Sequence, residues 1–296
     1  MSDAQLYVGR FAPSPTGPLH VGSIYTALAS FLDARSHQGQ WLLRIDDLDT
    51  TRNIKNSADN ILTTLETFGL TWDQAVYYQS QHLSDYQEFL DQLNHRQLLY
   101  PCSCSRKTLS ALPADIYPGL CLNQQVLPDT PHAIRIQTDQ RIIAFEDELQ
   151  GLIKHSLSER HGDFILKRKD LVIAYQFAVV VDDYLQGVNH VVRGCDLLDV
   201  TPRQIYLQQV FKFITPSYMH VPVIVDAEGH KLSKQTLAHA VDTHSPSQLI
   251  FKLLGLLKQH PPIECQNAPV SELLDWAQQH WNPAALKGTV QLAVAG

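Results

Sequence analysis

The sequence lacks any long apolar run. Its longest hydrophobic stretch is interrupted by Asp182 and Asp183, so no segment approaches the length of a membrane-spanning helix. The chain begins Met-Ser-Asp-Ala-Gln, without a basic region followed by an apolar run, and we therefore expect no signal peptide. Together these absences predict a cytoplasmic protein.

Cysteine and positive charge are also scarce. The 296 residues include five cysteines, an odd and unevenly spaced set, which argues against a disulfide scaffold. The 23 lysines and arginines are outnumbered by 30 aspartates and glutamates, and the net charge of −7 argues against a nonspecific nucleic-acid binder. A local RNA contact stays open at Lys167-Arg168-Lys169, although a solvated turn explains that run equally well.

Two common phosphate-binding motifs are missing. Neither a Walker A sequence nor Gly-x-Gly-x-x-Gly occurs, which argues against P-loop and dinucleotide-binding proteins. A hydrophobic content of 44% and a charged content of 18% are typical of a soluble globular protein. The length indicates two or three domains.

The most informative segment is a loop between a short strand at Leu6–Gly9 and a helix at Ile24–Ala34. Three prolines and a glycine fix its shape, and such a loop at the carboxyl edge of a parallel sheet is where nucleotides bind. His20 lies where its imidazole could donate to a phosphate at the helix N-terminus, and Gly22 would let a purine pack on the backbone. The alternative is a core histidine with Ser23 as an ordinary N-cap.

Strands and helices then alternate. A compact strand at Trp41–Ile45 precedes a helix at Ile54–Phe68, which Gly69 ends. Ser84 and Gln87 form the capping-box pattern that predicts a third helix. This alternation predicts an α/β fold with a doubly wound parallel sheet.

The pattern changes after Tyr100. Residues 101–131 are rich in loops, and the alternating stretches Ala133–Gln137, Ile142–Glu146 and Phe164–Lys167 predict a small antiparallel or mixed unit. A strand at Val188–Arg193 resumes the main sheet. We therefore predict four parts: the first half of a nucleotide-binding fold (1–100), an inserted subdomain (101–187), the second half of the fold (188–240) and a short helical region without an anticodon-binding domain (241–296).

Four ordered segments resemble the signatures of class I aminoacyl-tRNA synthetases in the form used by the glutamyl enzymes. The first runs from Arg10 through Pro-Thr-Gly17 to His20-Val-Gly22, and the second is the strand end Arg44–Asp49. The third is Arg193-Gly-Cys-Asp196, and the fourth is Lys231-Leu-Ser-Lys-Gln235. The resemblance spans residues 6–240 and implies a Rossmann-like class I catalytic core.

The resemblance implies how ATP would be bound. Amino-acid activation attacks the α-phosphate and expels pyrophosphate, so the enzyme holds the phosphates in line and neutralises charge. His20, Lys231 and Lys234 correspond to the catalytic residues, and His20, Gly22 and Lys234 to the ATP-binding ones, with Mg²⁺ accompanying ATP. Ser23 and Gln235 depart from the usual final residues of their signatures.

The resemblance also implies a glutamate site. It assigns the substrate to six residues: Arg10, Ala12, Ser14, Asp46, Tyr175 and Arg193. Two arginines converging on one carboxylate would select glutamate over glutamine, because the neutral amide leaves buried positive charge uncompensated. In the alternative interpretation, Arg10 and Arg193 form internal pairs with Asp46, Asp47 or Asp196. Asp46 stands where the family usually has the longer glutamate.

Three closely spaced cysteines indicate a metal site. Cys102, Cys104 and Cys121 lie in the loop-rich part, and thiolates so placed in a cytoplasmic protein favour structural zinc over three free thiols. His82 and His132 are candidate fourth ligands, whereas a subgroup of the family uses a tyrosine at the position of Tyr117. Cys195 and Cys265 have no such pattern.

The short region after Lys234 decides between members of the family. Full glutamyl enzymes continue through a long helical region that reads the anticodon, and only residues 235–296 follow in this chain. The chain thus resembles the truncated glutamyl-queuosine group, which transfers glutamate to queuosine at the wobble position of tRNA(Asp). The implied partners of this monomer are ATP, L-glutamate and the tRNA(Asp) anticodon loop.

Three alternatives remain at this point. A glutamyl-tRNA synthetase fragment would charge tRNA(Glu), and a noncatalytic RNA-binding paralogue would retain only the scaffold. The third is a nucleotidylyltransferase, which also uses a His-x-Gly turn but has no reason to keep the segment at Arg10.

Overall fold

A computed structural model describes residues 6–112, 116–127, 129–226, 241 and 243–293. The strands in chain order are β1 (Val8–Phe11), β2 (Gln40–Ile45), β3 (Asp73–Tyr78), β4 (Leu99–Cys102), β5 (Ala133–Ile136), β6 (Ile142–Asp147), β7 (Gly151–Ser156), β8 (Phe164–Lys167), β9 (His190–Gly194), β10 (Ser217–Val221), β11 (Val223–Val225) and β12 (Gln291–Ala293). The helices are α1 (Val21–Ser36), α2 (Ser57–Thr67), α3 (Leu83–His95), α4 (Arg106–Ser110), α5 (Leu157–Arg160), α6 (Tyr175–Leu185), α7 (Thr201–Phe211), α8 (Pro246–Leu256) and α9 (Val270–His280).

Strands β1, β2 and β3 form a parallel sheet in that order, with α1 and α2 as the connections. This confirms the strand–helix alternation expected from the sequence. Helix α2 starts only at Ser57, because Asn56 before it adopts a left-handed φ of 62°. Gly69 has a φ of +67° just after the helix, as its predicted role requires.

The predicted capping box at the third helix is wrong. Helix α3 begins at Leu83 with His82 as its N-cap, which places Ser84 inside the first turn. The Gln87 side chain is therefore not free to reach back to the cap, and its Nε2 donates to Asp91 Oδ1 one turn later at 2.9 Å.

A second sheet has the strand order β7-β6-β10-β9, in which β9, β10 and β6 are parallel and β7 is antiparallel to β6. Asn189 joins it to the first sheet at β1. The Asn189 amide donates to Val8 O at 3.0 Å, and its side-chain Oδ1 accepts from Val8 N at 2.8 Å. One residue thus supplies both hydrogen bonds that a ladder would otherwise provide.

The segment at Ile142–Glu146 differs from its expected place. Its alternation predicts a strand of the small unit, but it forms β6 in the main sheet, where Asp147 pairs with Tyr218 of β10. The cause lies at the end of the strand, because the Asp147 carboxylate is hydrogen-bonded to His220 of β10. Strands β4, β5 and β8 do form a separate antiparallel sheet.

Helix α9 packs against α1, and α8 packs against α9. Leu253, Leu254 and Leu273 have no exposed surface, and each such side chain contributes about 1.5–3 kcal/mol by burial. The Trp281 indole donates to Asp33 on α1 at 2.9 Å. Within the described ranges, no helix combines the length and apolarity needed to cross a membrane.

Candidate active site and cysteine cluster

A cavity of about 310 Å³ opens where β1 and β9 end side by side. The parallel strands bring their carboxyl ends to one edge, and the loop after β1 and the start of α1 cover it. Seven of the residues singled out in the sequence line this cavity: Arg10, Ala12, Ser14, His20, Gly22, Tyr175 and Arg193.

The structure describes one of the three other predicted residues. Asp46 is beside the cavity but not on its lining, and its carboxylate accepts from Arg44 Nε at 2.9 Å. Lys231 and Lys234 fall outside the described residues, and so does the whole fourth signature.

The Arg10 guanidinium is held in place by the Asp183 carboxylate. It is only 4% exposed, and its Nε and Nη2 donate to the two carboxylate oxygens of Asp183 at 3.2 and 3.5 Å. The hydrogen-bonded partner of Arg10 is therefore Asp183, and not Asp46, Asp47 or Asp196, the acids considered from the sequence. Burial opposes ionisation of Asp183, but Arg10 and Arg44 outweigh it and hold the pKa of Asp183 below its usual range.

Arg44 is the centre of the same buried charge network. It has no exposed surface, and its Nη1 donates to Asp183 at 2.6 Å while its Nε lies 3.7 Å from Asp182. Two guanidinium groups thus face three carboxylates, those of Asp46, Asp182 and Asp183. Burial raises the pKa of Asp46 to about 6, despite the opposing effect of Arg44.

Arg193 on β9 is held by uncharged groups. Its Nε donates to His220 Nε2 at 3.0 Å, and its Nη2 donates to Thr201 and Gln204, each at 2.7 Å. Its Nη1 is buried without a hydrogen-bond partner in the described part of the chain. A buried donor left in this way is costly, and it is therefore available to an acceptor in the cavity.

His220 orients Arg193 through a fixed tautomer. Because Nε2 accepts from Arg193, the proton of the neutral ring lies on Nδ1, which donates to Asp147 at 2.5 Å. Burial lowers the pKa of His220, so the ring stays neutral at pH 7.

His20 is the N-cap of α1. Its Nδ1 accepts from the Ser23 backbone N–H at 3.2 Å, and the neutral ring therefore carries its proton on Nε2, 3.1 Å from Ser23 Oγ. The alternative with Ser23 as the cap is wrong, since the helix starts two residues earlier, at Val21. The N-terminus of α1 and the imidazole of His20 therefore both border the cavity, a combination suited to binding phosphate oxygens.

The three cysteines and Tyr117 converge on one point. The Tyr117 hydroxyl lies 3.3 Å from Cys102 Sγ and 3.6 Å from Cys104 Sγ, and the sulfurs of Cys104 and Cys121 are 3.5 Å apart. Ligands at zinc–sulfur distances of about 2.3 Å in a tetrahedron are roughly 3.5–3.8 Å apart, so the donor set fits zinc. The other candidate ligands, His82 and His132, are bonded instead to Asp85 and to Thr130 O.

Burial raises the pKa of Cys104 and of Tyr117, whereas the pKa of Cys121 is lowered. The guanidinium carbon of Arg135 lies 3.7 Å from the centre of the Tyr117 ring. Burial alone would raise the pKa of Cys121, but hydrogen bonds from Tyr117 and Cys104 lower it to about 7. A thiol with such a pKa reaches the thiolate form that a metal requires.

The basic run at 167–169 is tied to the protein. Arg168 is paired with Asp49 at 2.7 Å and with Asp170 at 2.5 Å, and Lys169 Nζ donates to Ser103 O at 2.8 Å. These bonds hold the end of β8 against the loop after β2 and the segment after β4.

Sequence reasoning missed the residues that hold the two arginines, Asp183 and His220. Asp183 is 173 residues along the chain from Arg10, and His220 is 27 residues from Arg193. No local motif marks either residue. A signal existed for Asp183, because the two acids in the apolar helix α6 must have charged or hydrogen-bonding partners once the helix is buried.

Similarity to known proteins extends over most of this chain. Residues 7–252 match the family model described as "tRNA synthetases class I (E and Q), catalytic domain". A relative from Ectopseudomonas mendocina, named glutamyl-Q tRNA(Asp) synthetase, is 44% identical over 98% of both chains. One of the same name from Neisseria meningitidis serogroup C is 48% identical over 94% of this chain and 96% of its own.

A solved structure has the same architecture. The glutamate tRNA ligase of Elizabethkingia meningosepticum, in complex with its amino acid, superposes with a TM-score of 0.80 over 97% of this chain and 67% of its own. The sequence identity is 23%, so this likeness concerns the fold alone.

Proposed function

The chain belongs to the class I tRNA synthetases of the glutamate and glutamine type, and from that premise we propose that it activates L-glutamate and transfers it to queuosine of tRNA(Asp). The observation that carries the amino-acid assignment is the pair Arg10 and Arg193 on the lining of one cavity that also contains His20. The names of the relatives support tRNA(Asp) as the acceptor.

In the activation step, a carboxylate oxygen of glutamate attacks the α-phosphorus of ATP. The bond from that phosphorus to the bridging oxygen breaks, and pyrophosphate leaves with the electron pair. In the transfer step, a hydroxyl of queuosine attacks the activated carbonyl carbon and gives up its proton, and AMP leaves. Little covalent participation by the protein is needed, so positioning and charge stabilisation carry the catalysis.

The side-chain carboxylate of glutamate is the proposed ligand of the two arginines. Arg193 offers a buried Nη1 without a partner among the described residues, and Asp183 fixes the plane of the Arg10 guanidinium. Glutamine would leave this positive charge uncompensated, a difference of several kcal/mol. Asp46 is the proposed anchor of the substrate ammonium, and Ala12, Ser14 and Tyr175 complete the pocket.

His20 and Gly22 are proposed to bind ATP. The Nε2–H of His20 would donate to a phosphate oxygen, and the first N–H groups of α1 would add their partial positive charge. Lys231 and Lys234 are proposed to neutralise charge on the phosphates, with Mg²⁺ entering together with ATP.

We further propose that Cys102, Cys104, Tyr117 and Cys121 hold a structural zinc ion. When bound, the ion would cross-link the loop around Tyr117 to the end of β4, where few apolar contacts are present. Arg135 would balance part of the negative charge of the four ligands. No step of the reaction passes through this site.

The test is glutamate-dependent exchange of pyrophosphate into ATP without RNA, followed by transfer of labelled glutamate to purified tRNAs. We expect exchange without RNA and label only on tRNA(Asp) that carries queuosine. Label at the 3′ end of tRNA(Glu), or no exchange with glutamate, would contradict the proposal. Arg193→Gln should weaken glutamate binding about 100-fold, whereas the exposed Arg141→Gln should not change it.

A further inference from the structure

Two histidines and an aspartate face one another outside the cavity and outside the cysteine cluster. His155 is the penultimate residue of β7, His161 follows α5, and Asp199 lies in the short turn before α7. The donor atoms of the three side chains all lie within 4.8 Å of one another. Two neighbouring segments of the chain and one later segment thus place ligand atoms close together.

Each of the two imidazoles has a buried ring nitrogen without a hydrogen-bond partner among the described residues. Nδ1 of His155 and Nε2 of His161 are buried without a hydrogen-bond partner in the described ranges, and the side chains are only 11% and 9% exposed. Each nitrogen is 3.8 Å from a different oxygen of Asp199, which is too long for a hydrogen bond. Buried polar atoms of this kind require an explanation such as an ion.

We propose that His155, His161 and Asp199 form a second metal site, for a divalent transition metal ion of the zinc class with water as the remaining ligand. Two neutral imidazoles and one carboxylate are a donor set that such ions prefer. Nitrogen and oxygen ligands of tetrahedral zinc are about 3.3–3.5 Å apart, so each donor atom would move by less than about 1 Å.

The protonation states suit this ligand set. Burial lowers the pKa of both histidines, with Arg160 acting on His155 and Arg203 on His161 in the same direction. The Asp199 carboxylate acts in the opposite direction on the pKa of both rings, but burial prevails. The rings are therefore neutral at pH 7 and keep a lone pair for an ion.

The nearby arginines set the strength of the site. Arg160 Nη1 donates to His155 Nε2 at 3.4 Å, and this contact must be released because a metal at Nδ1 moves the proton to Nε2. Arg160 is exposed, so releasing it costs little, and Arg160→Gln should tighten metal binding. An anion such as phosphate is the weaker candidate, since it would meet the Asp199 carboxylate between the two rings.

The experiment counts metal ions in the full chain after chelator treatment and reloading with Zn²⁺ or Co²⁺. Asp199→Asn, at a side chain that is 62% exposed, and His161→Gln should each lose one equivalent relative to the wild type. His132→Ala, a histidine outside both clusters, should lose none. The Co²⁺ form separates the sites, because thiolate-to-cobalt absorption should disappear in Cys104→Ser and persist in His161→Gln.

Equal metal content and equal Co²⁺ affinity in Asp199→Asn, His161→Gln and the wild type would overturn the proposal. So would titration of the metal-free chain with inorganic phosphate, if phosphate bound the wild type and not His161→Gln. Because the count is relative, the outcome does not depend on whether the cysteine cluster is loaded.

Discussion

Arg10 and Asp183 form a two-point ion pair in the wall of the cavity, with Nε 3.2 Å from Oδ1 and Nη2 3.5 Å from Oδ2. The side chains are 4% and 6% exposed. The same carboxylate also accepts from Arg44 Nη1 at 2.6 Å. One acid on α6 therefore sets the position of two guanidinium groups that come from the first two strands.

Asp183→Asn is expected to reduce both stability and glutamate binding. The amide has no charge to offset two buried guanidinium groups, and breaking a buried pair from one side typically costs about 3–5 kcal/mol. The free energy of unfolding in urea measures the first effect, and calorimetry with glutamate measures the second.

The control for this prediction is a surface pair. Asp139 and Arg141 are 47% and 43% exposed, so Asp139→Asn should change stability by less than about 1 kcal/mol. Equal stability losses in Asp139→Asn and Asp183→Asn would show that the network around Arg10 has no special role.

The same pair shows what the sequence could reveal. The loop from Arg10 to Gly22 could be placed at the sheet edge, because prolines and glycine restrict the backbone locally and the neighbouring elements have clear periods. Asp183 could not be assigned to Arg10, since their contact depends on how α6 crosses the sheet. His220 escaped notice for the same reason, as its partner Asp147 is on a strand whose pattern predicts a place in another unit.

The cysteine cluster was easier to predict than β6. Cys102, Cys104 and Cys121 are near in sequence and their side chains have few other uses in a loop-rich segment. The strand pattern at Ile142–Glu146 is compatible with either sheet. Alternating apolar and polar residues indicate that one face of the strand is buried, but not which neighbouring strand it pairs with. The contacts of Asp147 with β10 place this strand in the main sheet.

Lowering the pH should weaken the site through His220. Its pKa is lowered by burial, so the folded state binds a proton less readily than the unfolded state, whose histidine pKa is about 6.5. The contribution of His220 is complete above pH 6.5 and is lost as the pH falls below it, by at most about 1.4 kcal/mol per pH unit. Protonation would also put a hydrogen on Nε2 facing Arg193 Nε–H, so glutamate affinity should fall in parallel.

His220→Gln isolates this effect. Glutamine keeps one acceptor for Arg193 and one donor for Asp147 but does not titrate. The difference between wild type and variant in unfolding free energy, measured from pH 8 to pH 5.5, removes the contributions of the other histidines. A constant difference over that range would contradict the assignment to His220.

Tyr117→Phe should weaken metal binding at the cysteine cluster. The ring and its contact with Arg135 remain, but the hydroxyl that lies 3.3 Å from Cys102 Sγ is removed. Loss of a direct ligand should lower zinc affinity by more than about 100-fold, measured by competition with a chromophoric chelator.

Tyr100→Phe is the matched control for this variant. Tyr100 packs in the same small cluster, and its hydroxyl donates to Asp163 at 2.6 Å and not to a cysteine. The variant should keep its zinc affinity although its stability falls. If both tyrosine variants bound zinc like the wild type, Tyr117 would not be a ligand.

The network around Arg44 contains three carboxylates and two guanidinium groups, and Asp46 is the carboxylate with the weakest compensation. Asp182 already accepts from Tyr86 and Gln79, each at 2.6 Å, and Asp183 is shared by the two arginines. Among the residues that the structure describes, the Asp46 side chain has one hydrogen bond, from Arg44 Nε, and it is 7% exposed. Burial consequently raises its pKa from 3.8 to about 6.

Asp46→Asn should therefore stabilise the free protein at pH 7 and weaken amino-acid activation. A folded-state pKa above the unfolded value means that ionised Asp46 destabilises the fold, increasingly as the pH rises from about 4 to about 7. Asparagine keeps an acceptor for Arg44 without the charge, so the gain should be about 1–3 kcal/mol at pH 7 and vanish near pH 4. Pyrophosphate exchange should fall because the substrate ammonium loses its anchor. Lower stability at pH 7, or unchanged exchange, would show that Asp46 serves the structure and not the substrate.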